Sequence, residues 1–75
     1  MTVEEIRENL LKVLTSSVMT YATVRNNDTP FQGDRAAHFR EIDIQSRQIT
    51  AVKICCKAAG IDEEMIRNIV SLHAL

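Results

Sequence analysis

The sequence predicts a small all-α domain of three helices, an antiparallel helical hairpin followed by a short C-terminal helix. Three observations carry that expectation. Apolar residues recur at steps of three, four and seven through most of the chain, the spacing that lines one side of a helix. A capping residue stands where each helix would start: Thr2 with Glu5, Asp34 and Asp62. Turn formers gather in one stretch, Asn26 to Asp34, and Gly60 marks a second corner.

The first helix is expected near Val3 to Tyr21. Thr2 and Glu5 form a T-x-x-E capping box, in which hydroxyl and carboxylate each satisfy a free backbone donor. Val3, Ile6, Leu10, Val13, Leu14, Met19 and Tyr21 supply a broad apolar stripe, with Glu4, Arg7, Glu8 and Lys12 on the remaining surface. The hydroxyl-rich, β-branched tail TSSVMTYATV has low helix propensity, so the end falls between Ser17 and Val24. Alternation of Val18, Thr20, Ala22 and Val24 also fits a strand, although a lone strand has no partner here.

Asn26, Asn27, Asp28, Pro30 and Gly33 make the next stretch the chain's one obvious loop, which reverses its direction, with Phe31 as a plug at that end of the hairpin or a loop-borne contact residue. Asp34 then caps a long second helix, Arg35 to Ala59, ended by Gly60. Ile42, Ile49, Val52, Cys56 and Ala59 fall along one side of it, while Ile44 points away from that line. The stripe is thin from Asp43 to Ser46, where a break is possible. Unbroken, the helix is about 38 Å long, more than the first helix covers alone, so the remainder needs the last helix or a second chain. Asp62 caps a third helix, Glu63 to Leu72, with Met65 or Ile66, Ile69, Leu72 and Leu75 as the inward stripe and Val70 widening it. His73 offsets the negative end of its dipole.

At 75 residues the chain forms one domain, residues 1–75, whose folding removes a small fraction of its surface from water. Monomer stability is therefore marginal, and association with a second copy is the natural remedy. Aromatic residues are confined to Tyr21, Phe31 and Phe39, so the core is aliphatic. A formal charge of -1 gives no basic field of the kind a nonspecific nucleic-acid binder carries. Adjacent Cys55 and Cys56 diverge by about 100° on a helix and cannot readily bridge or share a metal. They read as apolar fillers in a reducing compartment, with an intermolecular disulfide or reactive thiol as the alternative. Met1 is followed at once by a charged amphipathic pattern rather than a signal peptide, and no apolar run reaches membrane-spanning length, so the expected location is cytoplasmic, with no membrane partner.

No glycine-rich phosphate loop, zinc spacing or nucleophile motif is present, so neither catalysis, a metal nor a cofactor is expected. The leading functional expectation is a non-catalytic, regulatory protein-interaction module acting as a homodimer or higher oligomer, with Ile42, Ile49, Val52, Cys56 and Phe31 as its contact residues. Between Cys55 and Val70 the sequence CCKAAGIDEEMIRNIV resembles the helix-turn-helix of bacterial and phage repressors: Cys56, Ala59, Gly60, Ile61, Ile66 and Ile69 stand where two helices pack across a tight turn. The resemblance implies that the helix after Asp62 enters a DNA major groove. Arg67 and Asn68 would supply the favourable contacts, and Asp62, Glu63 and Glu64 would oppose the phosphates. A third expectation is a small-anion or nucleotide site at Arg35, His38 and Arg40, on the free backbone donors that open the second helix.

Overall fold

The computed structural model of the chain describes residues 1–27 and 31–73. Three helices form the fold: α1 (Val3–Asn26), α2 (Arg35–Ala58) and α3 (Glu63–His73). No strand occurs among the described residues. The turn positions Asp28 and Pro30, and Leu75 as the last member of the third stripe, lie outside the described residues.

Helix α1 runs past the expected end at Tyr21 and past the stretch that could have been a strand. Burial overrides the low propensity of that tail: Val18 and Ala22 are buried, which ties it to the core. Thr15, Thr20 and Thr23 turn their hydroxyls onto the carbonyls of Leu11, Ser16 and Met19, so these groups stay paired within the helix, a bond that adds no stability to it. At the start of α1 the Thr2 hydroxyl accepts from the Glu5 amide at 3.1 Å as expected. The Glu5 carboxylate accepts from the Thr2 hydroxyl instead of a backbone donor, so only half of the capping box forms.

Helix α2 is continuous through Asp43 to Ser46, where a break was possible. An Asp43–Arg47 ion pair at 3.0 Å and a Gln45–Glu41 hydrogen bond at 3.0 Å span that stretch, each one turn apart. Asp34 accepts from the Ala37 amide at the start of α2. The helix closes at Ala58, with Ala59 as cap and Gly60 at φ +83°, the left-handed conformation that glycine adopts without strain. Asp62 accepts from the Glu64 amide to open α3, which extends one residue beyond Leu72.

Two contacts fix the hairpin as antiparallel. Near the start of α1, Arg7 donates from Nε to the Ala59 carbonyl at 2.8 Å, beyond the end of α2. Near the end of α1, the Val24 carbonyl lies 2.7 Å from His38 Nε2 in the first turns of α2, so that nitrogen carries a hydrogen and donates it. Helix α3 then runs alongside α1, ending with His73 beside Met19, Ala22, Thr23 and Asn26. It packs chiefly on α1 and meets α2 only slightly, which makes α1 the central helix.

Leu14, Val18, Cys56, Ile61 and Ile66 form the buried cluster, with Leu10, Leu11, Ile49, Val52, Ile69 and Val70 half-buried around it. The core is aliphatic as the composition predicts, and it sits toward the α2–α3 corner. Removing Leu14 and Val18 fully from water stabilises the fold by about 1.5–3 kcal/mol each.

Candidate functional site

The core-facing line of α2 comprises His38, Ile42, Gln45, Ile49, Val52 and Cys56, all buried or half-buried. Of the expected contact residues, Cys56 is fully enclosed by its own chain. It is therefore not available to a second subunit, because Leu14, Val18, Ile61 and Ile66 already surround it. Ile49 and Val52 pack against the same cluster, and Ile42 is half-buried farther along the line. These four positions mainly hold the hairpin together.

Two residues after each member of that line comes another: Arg40, Ile44, Arg47, Ala51, Ile54 and Ala58, all exposed. A two-residue step turns about 200° around a helix, so this second line lies opposite the core. Ile54 is 63 % exposed and Ile44 42 %. Sequence reasoning noted that Ile44 departs from the inner line but missed the outer one, whose signal was the same alternation of four- and three-residue steps. The two alanines and two arginines in it dilute the hydrophobic pattern.

At the hairpin turn, Phe31, Gly33, Asp34, Arg35 and His38 line a pocket of about 280 Å³. Phe31 is half-buried, its ring 5.0 Å from that of His38. The pocket brings together Arg35 and His38 of the expected anion set but leaves Arg40 on the outer line of α2. His38 Nε2 is committed to Val24, and Asp34 adds a carboxylate to the lining. Among the described residues the lining sets the Arg35 cation beside the Asp34 carboxylate, which gives an anion little net attraction.

At the second corner, Gly60 is left-handed and Ile61 and Ile66 are buried, as the helix-turn-helix resemblance expects. The helices flanking the turn nevertheless meet only slightly, because α3 is drawn onto α1. Arg67 and Asn68 are exposed next to Glu63 and Glu64. Lys57 forms a 2.7 Å ion pair with Glu63. Its hydrogen bond, and then its charge, hold the Glu63 carboxyl below the usual range, so Glu63 stays ionised while Lys57 offsets one of the three acids at this turn.

Cys55 is an exposed thiol and Cys56 a buried one. Burial, and secondarily the neighbouring Cys55, push the Cys56 thiol up, away from the reactive thiolate form. Its Sγ lies 3.9 Å from the Leu10 carbonyl, a weak bond between α2 and α1. Among the described residues no group of three or more His, Cys, Asp or Glu is placed to hold a metal ion, and no helix is long and apolar enough to cross a membrane. The chain matches no protein-family model, no curated protein and no solved structure.

Proposed function

We propose that this chain is a non-catalytic helical interaction module of the cytoplasm that works as a homo-oligomer, regulating a larger protein by presenting helical surface to it. The observation that carries this reading is a surplus of surface. The chain exposes 5404 Å², whereas a compact monomer of 8.5 kDa is expected to expose about 4,650 Å². That leaves an excess of about 750 Å², close to the roughly 800 Å² that each partner contributes to a standard protein interface. The shape agrees: the molecule measures 45 × 20 × 17 Å, and its radius of gyration is 13.9 Å against about 11 Å for a compact domain of this length.

The surplus is apolar in part. Val3, Ile6, Val13, Met19, Phe39, Ile44, Ile54, Met65 and Leu72 are each more than 40 % exposed. Association removes such residues from water without any further folding. Native mass spectrometry of the purified chain across a dilution series tests the reading. It expects an oligomer that dissociates on dilution, and a folded monomer at every concentration would overturn it.

DNA binding through Arg67 and Asn68 is the weaker reading, opposed by the acidic first turn of α3. A mobility shift whose affinity falls steeply with salt, and falls again in Arg67→Ala, would restore it.

A further inference from the structure

We infer that a second copy of this chain docks on the outer line of α2, pairing helix to helix in antiparallel orientation about a two-fold axis level with Ile49. The inference rests on the self-association proposed above and names the surface that carries it. Three observations support this face over the others.

The first is its pattern. Arg40, Ile44, Arg47, Ala51, Ile54 and Ala58 follow the alternating four- and three-residue steps of a two-helix seam, and every one of them is exposed. Because the line lies opposite the α1-facing side of α2, neither α1 nor α3 obstructs the approach of another helix.

The second is how the line fits itself. With the axis midway between Arg47 and Ala51, Ile44 meets the partner's Ile54, and symmetry repeats the layer. These are large apolar residues of α2 left 42 % and 63 % exposed in the single chain. Between the two isoleucine layers, each Arg47 stem lies over the partner's Ala51, a residue small enough to accept it. Arg47 keeps its own Asp43 at 3.0 Å, so its charge enters the seam already paired.

The third is charge. Arg40 is exposed and has no ion-pair partner among the described residues. In the antiparallel arrangement its stem crosses the partner's Ala58 and its guanidinium extends toward the acidic corner at the partner's Asp62 and the partner's Glu64. Of the acids at that corner only Glu63 is ion-paired, to Lys57. The two ends of the seam thus bring Arg40 of each chain to acids of the other that make no ion pair among the described residues. A parallel pairing would set Arg40 beside the partner's Arg40 and leave both acidic corners unmatched.

Cysteine cross-linking reads the arrangement directly. In a Cys55→Ser background, an Ile44→Cys chain mixed with an Ile54→Cys chain should form a disulfide-linked pair under mild oxidation, while neither chain alone does so. Disulfide formation by Ile44→Cys chains alone would indicate parallel pairing and overturn the inference. On the chain without added cysteines, Ala51→Arg should abolish association with helicity unchanged, because Ala51 is exposed on the side of α2 away from the core. Arg40→Glu should weaken association by roughly threefold to tenfold, and Glu64→Arg on top of it should restore it. If the oligomer persists in Ala51→Arg and is broken instead by Ile6→Asp or Leu72→Asp, self-association stands and this surface is wrong. If the unmodified chain is a monomer throughout, both fall.

Discussion

The two ends of the α1–α2 hairpin are built from the same materials and packed very differently. At the α2–α3 corner, Leu14, Val18, Cys56, Ile61 and Ile66 are buried together, and Arg7 spans the gap to hold the Ala59 carbonyl. At the hairpin turn, Tyr21, Val24, Phe31, His38 and Ile42 are only half-buried, and Phe39 is 65 % exposed. Both ends have an interhelical hydrogen bond and a left-handed glycine, Gly60 or Gly33. What separates them is burial around the bond. At the closed end Ile61 of the turn and Ile66 of α3 complete the core, whereas α3 otherwise packs on α1 and meets α2 only slightly. Stability should therefore be concentrated at one end, with the other opening locally at lower free energy.

That contrast can be broken first at its strong side. Leu14→Ala leaves a cavity in the middle of the buried cluster and should cost about 3–5 kcal/mol, enough to unfold much of a chain this small. Denaturant titration followed by circular dichroism measures it. Ile42→Ala, at the half-buried end, should cost clearly less, and equal losses would mean that the two ends form one uniform core.

The two glycines sharpen the comparison because their backbones are alike, at φ +83° and +84°. Alanine at either carries the left-handed penalty of about 1–2 kcal/mol. At Gly60 the added methyl would also stand 2.9 Å from an Arg7 guanidinium nitrogen, whereas at Gly33 it meets nothing within 4 Å. Gly60→Ala should therefore be the more destabilising, and its excess should vanish in an Arg7→Ala background, read as a double-mutant cycle in thermal unfolding.

A smaller effect is expected from His38→Phe, which keeps an aromatic ring beside Phe31 but leaves the Val24 carbonyl only the longer bond from the Asn27 amide, at 3.4 Å. The loss should be about 1 kcal/mol, confined to the hairpin end and visible as faster amide exchange in the first turns of α2. The smallest concerns pH. Glu63 is ionised more readily in the folded chain than in the unfolded one, because of Lys57. Its contribution is present above the ordinary carboxyl range and is lost as pH falls through the lowered value. Lys57→Gln should remove that slice of acid sensitivity from the melting temperature and leave the neutral-pH fold intact.

Much of the fold could be read from local chemistry. The caps at Thr2, Asp34 and Asp62 and the stop at Gly60 each act within a few residues, and the structure uses every one of them. The end of α1 was less legible because tertiary burial of Val18 and Ala22 outweighs the weak helix propensity of the threonine-rich tail. Periodicity found the inner line of α2 but could not say that Cys56 would be enclosed by its own chain, since that depends on Ile61 and Ile66 folding back over it. The outer line was hidden for a different reason. Its alanines and arginines look like a solvated face until the exposure of Ile44 and Ile54 is known.

Sedimentation equilibrium of the unmodified chain tests the central claim, that the surplus surface joins copies of the chain, most directly. The account predicts a mass twice 8.5 kDa at high micromolar concentration, falling toward 8.5 kDa on dilution. A mass of 8.5 kDa across the whole range, with helicity intact, would contradict it.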